Sequence, residues 1–198
     1  PTASGFGLAW LDLGAGRFSV LEGHGDSALV AELERLQPAE LLVPEEWLGE
    51  IGAELRERTG SLAWRGRAPW HFELETARRL LTEQLGTLDL QGFGIDSNGE
   101  RSMPLAVAAA GALLQYVRDT QRTALPHLRA LRVEDRHASL HLDAITRRHL
   151  EIDSSAQGRD DATLLALLDT TVTAMGARAL RRLLNRPITD HALLRQRH

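Results

Sequence analysis

Over its first 126 residues the chain switches repeatedly between two hydrophobic periods, and this alternation restricts its possible folds more than any other feature. Phe6–Leu13 and Arg17–Leu21 are strand-like and joined by a short loop holding Gly14 and Gly16, which predicts a β-hairpin. Asp26 offers an N-cap, and Leu29, Val30, Leu33 and Leu36 follow at helical spacing until Pro38. Leu41–Val43 is a short apolar strand of the buried type. Trp47, Leu48, Ile51 and Leu55 predict a second helix, weakened by Gly49 and Gly52, and Ser61–Trp64 predicts another strand. Leu74, Ala77, Leu81 and Leu85 line one face of a helix that Gly86 closes. After the turn-rich stretch Thr87–Glu100, a long helix begins near Ser102, tolerates Pro104 in its first turn and runs to about Arg122. Its alanines and Gly111 give it a small-residue surface able to approach a sheet closely.

Strands alternating with helices predict an α/β layer arrangement. The opening hairpin is antiparallel and later strands need helical crossovers, so the expected sheet is mixed. After Pro126 the pattern changes. "ASLHLDAI" alternates briefly, and then "LLALLDTTVTAMGARALRRLLNRP" is strongly helical, with Leu164, Leu165, Leu168, Val172, Met175, Leu183 and Leu184 available for a buried face. Pro187 stops it, and Thr189 or Asp190 can cap one more helix. The expected organisation is an α/β domain over 1–126 and the beginning of a helical bundle, too short to be complete, over 127–198.

Charge excludes several chemistries. All 23 basic residues are arginine, so the chain contains neither the lysine of a P-loop nor a Schiff-base lysine. Residues 1–126 carry 11 Arg against 18 Asp and Glu, a net −7; residues 127–198 carry 12 against 9, a net +3. The acidic first part opposes contact with a phosphate backbone. Without cysteine there are no disulfides or thiolate metal sites, which is compatible with a reducing cytoplasm. The longest apolar run, Met103–Leu114, falls short of the ~20 residues a membrane span needs, and nothing at Pro1 resembles a signal peptide, which needs a basic start before an apolar stretch.

The most suggestive site candidate is Asp12, which ends an apolar strand as catalytic carboxylates do in ribonuclease H-type hydrolases. Sugar kinases and actin-like ATPases touch phosphate with a similar Asp-Leu-Gly turn. A two-metal site needs several converging carboxylates, and Asp26, Asp89 and Asp96 are available without any specific spacing. The competing reading makes Asp12 a turn former beside Gly14 and Gly16. Gly92–Ser97 has a G-x-G but lacks the third glycine of a dinucleotide fingerprint, so it reads as a turn. His137 and His141 are four apart, but the alternating "HASLHL" sets them along a strand face rather than on a metal-binding helix. Arg178, Arg181, Arg182 and Arg186 cluster on one helix, either as a solvated face or as a contact for a partner domain or DNA.

Several stretches resemble the MutS family of DNA mismatch repair proteins. "GLAWLDLGAGRFSV" is similar to the first hairpin of its connector domain. "ELLVPEE", "FELETARRLLTEQLGTLDLQGFG" and "AAAGALLQYVRDTQRTALPHLRAL" follow in the family's order. "ASLHLDAITRRHLEI" and "LLALLDTTVTAMGARALRRLLNRPITD" resemble the start of its core, or lever, domain. The resemblance implies a ribonuclease H-like connector over 1–126, followed over 127–198 by a truncated helical core. It implies no catalytic, cofactor or metal site in these residues. The mismatch-reading domain with its Phe-x-Glu motif and the ATPase domain that uses ATP and magnesium would lie elsewhere in a longer, homodimeric, cytoplasmic protein that binds mismatched DNA. The implied partners are MutL and other MutS domains, with no membrane. The helix of "TARRLLTEQLG" would border the MutL surface, which suggests Arg78, Arg79, Leu80, Thr82 and Glu83 as contacts; many relatives carry glutamines where this chain has Arg79 and Leu80.

An incomplete bundle has a measurable consequence. Backbone amides after Pro126 are expected to exchange with solvent faster than those before it, because the leucine-rich helices there lack partners. Equal, strong protection of both parts at dilute concentration would contradict this.

Overall fold

The computed structural model of the chain describes residues 5–49, 53–60, 62–99, 101–121, 128–134, 140, 142, 144–155 and 157–197. Its contacts divide the chain into two compact units, Pro1–Glu134 and Asp135–His198.

The first unit opens with the expected hairpin. β1 (Gly5–Asp12) and β2 (Arg17–His24) pair antiparallel, with Asp12 opposite Arg17 at the turn. α1 (Asp26–Leu36) follows, then β3 (Glu40–Pro44), α2 (Ala53–Thr59), β4 (Ala63–Arg67), α3 (Leu74–Leu85), α4 (Pro104–Gln121) and β5 (Leu131–Val133). The five strands hydrogen-bond as two sheets. β1-β2-β5 is mixed, since β5 runs parallel to β2, and β3-β4 is a parallel pair. Helices flank both, giving the mixed α/β arrangement expected from the alternation.

Three local expectations are corrected. Asp26 is the first helical residue rather than the cap. Gly25 takes the capping position at φ 83° and ψ 145°, a conformation open to glycine, and Asp26 instead adds negative charge to the first turn. Trp47 and Leu48 belong to a 3₁₀ turn, Glu45–Leu48, separate from α2, and not to one continuous helix with Leu55. Of the strand expected over Ser61–Trp64, Ser61 lies outside the described residues, and β4 begins at Ala63, past Leu62, and runs on to Arg67.

The strand period of two sorts the core. Phe18 and Val20 of β2 point into a cluster with Ala77 and Leu81 of α3, Ala106, Val107, Ala110, Leu114 and Val117 of α4, and Leu90, Ile95, Leu128 and Leu131. Leu21 points the other way, joining Phe6, Leu8, Leu29 and Leu33, with Leu41 and Leu55 packed against them. Leu128 and Leu131 are therefore part of the first unit's core although they follow Pro126.

α4 lies very close to its neighbours. A Cβ built on Gly7 of β1 would stand 2.0 Å from the carbonyl carbon of Leu105, and one on Gly111 would stand 2.3 Å from the Cβ of Ala77 in α3. Glu22 of β2 fixes the register of this approach: its Oε2 accepts from the backbone N–H groups of Leu105 and Ala106, each at 3.1 Å. A carboxylate supplied from 83 and 84 residues away in sequence thus satisfies two of the orphan donors at the start of α4.

The second unit contains α5 (Ala144–His149), α6 (Leu164–Leu168), α7 (Ala174–Asn185) and α8 (His191–Arg197). The helical stretch expected from Leu164 to Pro187 is broken at Asp169, whose Oδ1 accepts from both the N–H and the hydroxyl of Thr171. Thr173 then caps α7 by accepting from Gly176 N–H at 3.0 Å. The run of β-branched residues Thr170–Thr173 and its competing side-chain bonds interrupt the helix there. Asp190 caps α8 as expected, accepting from Ala192 and Leu193 N–H groups.

The centre of this unit is polar. Arg147, 6% exposed, donates to Asn185 Oδ1 (3.3 Å) and Leu142 O (3.1 Å). Asn185, 7% exposed, donates in turn to Asp153 Oδ2 at 2.8 Å. On α7 the polar Asn185 is thus buried, whereas Met175 and Leu183 are 61% and 53% exposed.

The α3–α4 crossing yields a test in which two effects oppose each other. Gly111→Ala should gain about 1 kcal/mol of helix propensity but force the helices apart, an overpacking cost of about 1–3 kcal/mol. The steric effect should win, lowering the urea midpoint. Gly92→Ala, with open space around its Cβ, should leave the midpoint nearly unchanged. Tryptophan fluorescence isolates the first unit, since Trp10, Trp47, Trp64 and Trp70 all lie within it.

Candidate functional site

The hairpin turn answers the question posed by Asp12. Its Oδ1 accepts from the N–H of Ala15 at 3.0 Å and its carbonyl accepts from the same N–H at 3.2 Å. The side chain thereby closes the turn. The other carboxylates have separate local tasks. Asp26 lies in the first turn of α1 and Asp89 Oδ1 accepts from Gln91 N–H at 3.0 Å, while Asp96 is tied through its backbone, its N–H donating to Arg101 O at 3.0 Å. Among the described residues no group of three or more His, Asp or Glu side chains is placed to hold a metal ion. His137 and His141 lie outside the described residues. Gly92–Ser97 is a turn, with Gly94 at φ 85°, that delivers Ile95 into the core. Among the described residues no helix is long and apolar enough to cross a membrane.

α3 is built to keep one side fixed and the other open. Glu73 caps it, accepting from Thr76 N–H at 2.8 Å, and the hydrogen bonds from Thr76 hold its carboxyl below the usual range. Gly86, at φ 67°, ends it. Ala77 and Leu81 are buried against α4, and Leu80 packs partly into the same core. Arg78 turns back toward the loop before α4, with Nη2 3.4 Å from Ser97 O and 3.5 Å from Ser102 O. The Thr82 hydroxyl donates to Arg78 O and Arg79 O within its own helix. Glu83 lies 3.9 Å from the guanidinium of Arg118, which also donates to Gln84 Oε1 at 3.0 Å. Glu75, Arg79 and Glu83 form an exposed stripe at four-residue spacing. Of the five residues suggested as contacts, Arg79 and Glu83 are thus exposed, while Arg78, Leu80 and Thr82 are partly committed to the fold.

Sequence reasoning missed two flanking apolar side chains. Trp70, in the 3₁₀ turn Pro69–Phe72 just before α3, is largely exposed and stacks on His71, and Leu88, just after Gly86, is fully exposed. The isolated Trp in "RAPWHFE", outside any helical or strand period, was the available signal.

Beside α3, a polar group ties β3 and β4 to α4. Arg67 pairs with Asp119 at 2.8 Å and lies over the Tyr116 ring, and the Tyr116 hydroxyl donates to Glu40 Oε2 at 2.8 Å. That bond to a carboxylate raises the Tyr116 phenol above its usual range. In the second unit, Arg178, Arg181 and Arg182 are exposed on α7, and the Arg181 carbonyl accepts from Asn185 Nδ2 at 3.1 Å.

Two family models match the chain. One described as MutS domain II covers residues 2–129, more than half of the sequence, and one described as MutS domain III covers residues 145–198.

The turn geometry predicts how substitutions at Asp12 behave. Asp12→Asn keeps an oxygen acceptor for Ala15 and should change stability by less than about 0.5 kcal/mol. Asp12→Ala removes the acceptor and should cost about 1 kcal/mol. Urea unfolding of the two variants checks the order.

Proposed function

The chain belongs to the MutS family, and we propose that its first unit is a non-catalytic docking module for MutL that links mismatch recognition to ATP hydrolysis located in other MutS domains. The observation that carries this reading is α3, whose inner side is locked against α4 while Glu75, Arg79 and Glu83 stay exposed on a rigid support. A rigid element presenting charged side chains, flanked by exposed Trp70 and Leu88, has the composition of a contact surface: a polar rim with aromatic and aliphatic anchors. The absence of lysine leaves no P-loop in these residues, so ATP and magnesium would act elsewhere in the protein. Mismatched DNA and a second MutS subunit would likewise be engaged through other domains of a cytoplasmic protein. The net −7 of residues 1–126 supports this division of labour, since it opposes phosphate contact.

Calorimetric titration with the amino-terminal domain of the cognate MutL tests the reading. Binding is expected to be weak, because a single isolated surface lacks the avidity of a dimer. Arg79→Glu should weaken it by about fivefold, the effect of an exposed charge at an interface rim. Filter binding should show no preference for mismatched over matched duplexes, and no ATP hydrolysis should accompany the chain. Absence of MutL binding at high concentration would remove the docking role, and tight mismatch discrimination would overturn the module reading altogether.

A further inference from the structure

We propose that Asn98 is a site of spontaneous covalent modification, at which its carboxamide condenses with the backbone nitrogen of Gly99 and an aspartyl or isoaspartyl residue results. The chain holds two asparagines, Asn98 and Asn185, and the fold treats them oppositely. Asn185 is 7% exposed; its Nδ2 donates to Asp153 Oδ2 and Arg181 O, and its Oδ1 accepts from Arg147. That carboxamide is held at both ends, and a bulky Arg186 follows it. Asn98 is exposed in the turn between Ile95 and α4, and among the described residues its carboxamide has no hydrogen-bond partner. Gly99 is exposed too, at φ 94°, and a Cβ added there would meet nothing within 4 Å. Among the described residues no acceptor occupies its N–H. Glycine presents that nitrogen without a side chain in the way and moves freely between backbone regions.

The attacking group is the Gly99 nitrogen, once water or hydroxide has removed its proton. The bond from this nitrogen to Asn98 Cγ forms, the Cγ–Nδ2 bond breaks, and Nδ2 leaves as ammonia with a proton taken from solvent. Water then opens the resulting succinimide ring at either of its carbonyls. One opening gives aspartate; the other gives isoaspartate, with an extra carbon in the main chain. Water is the only co-reactant, and nothing is oxidised or reduced. Either product adds a negative charge. The turn is tied on both sides of the reacting pair. The Asp96 N–H donates to Arg101 O at 3.0 Å, and Arg78 of α3 lies 3.4 Å from Ser97 O and 3.5 Å from Ser102 O. The modification therefore changes the charge and the length of the segment that Arg78 braces.

The test ages the full 198-residue chain in mildly alkaline buffer, beside a synthetic peptide of residues 95–101. Cleavage after arginine releases residues 80–101, in which Asn98 is the one asparagine, and mass spectrometry with an isoaspartate methyltransferase assay reads the products. Aspartate and isoaspartate should both accumulate at position 98, faster as pH rises, while Asn185 stays an amide. Gly99→Ala should slow the reaction by about tenfold, since a Cβ crowds the attacking nitrogen and is penalised at positive φ. Asn98→Gln, whose longer side chain cannot close the five-membered ring, should abolish it. In the isoaspartyl form the Asp96 amide should exchange with solvent about fivefold faster, the equivalent of one neutral hydrogen bond.

An Asn98 that survives in the folded chain while the peptide reacts would overturn the proposal. So would aspartate without isoaspartate, which marks direct hydrolysis of the side chain, or equal conversion of Asn185. An Asp96 amide that keeps its protection in the isoaspartyl form would overturn the effect on the segment braced by Arg78.

Discussion

The close approach of α4 to β1 and α3 is the constraint on which the first unit depends. Backbone meets backbone where Gly7 faces Leu105 and where Gly111 faces Ala77, with no room for even a methyl group. Such an approach brings two layers together without long side chains between them. Alanines then fill the remaining contact, and Ala106, Ala110 and Ala112 are fully buried. Each gains little from burial alone. The sheet and both helices therefore act as one rigid body only while the small residues keep their places. Glu22 completes the arrangement by binding the start of α4 from the sheet.

Because α4 fixes the inner side of α3, the outer side of α3 is presented without its own cost of ordering. That is a physical basis for a docking surface, and it differs from the basis of a catalytic centre. Of the carboxylates that suggested chemistry, Asp12 closes its turn, Asp26 sits in the first turn of α1 and Asp89 accepts from Gln91 N–H; two others, Glu22 and Glu32, serve a helix start and Arg35. The second unit is organised differently. Its centre is the buried Arg147–Asn185–Asp153 chain of hydrogen bonds, while Leu167, Val172, Met175 and Leu183 are exposed. Ile152 and Leu165 are its buried large apolar side chains among the described residues, so this unit is stabilised less by apolar burial than the first.

Much of this was legible in the sequence. Period and punctuation placed the hairpin, α1, β3, α3 with its Gly86 end, and α4 with its small-residue surface. The failures share a cause, which is that the deciding interaction was not periodic. β5 is three residues long, below the length at which alternation can be read, and it exists because it pairs with the distant Phe18–Val20. The break at Asp169 comes from side-chain hydrogen bonds that compete with a helical pattern of leucines. The role of Glu22 and the Arg35–Glu134 pair span 83 and 99 residues of sequence, so no local reading reaches them. For the candidate surface, the resemblance suggested Arg79 and Glu83, which are exposed, but not Glu75, which joins them on the same helix face. The commitment of Arg78 to Ser97 and Ser102 did not, because it depends on how the following loop returns.

We propose that the first unit offers a contact surface rather than a metal-dependent chemical centre at Asp12. Titration with Mn²⁺, followed by paramagnetic broadening of assigned amide signals, tests it most directly. Only weak, diffuse broadening over the acidic surface of the first unit is expected. Saturable broadening centred on the Leu11–Ala15 turn and on a second carboxylate-bearing segment would contradict it, and would make Asp12 a ligand rather than the residue that closes its turn.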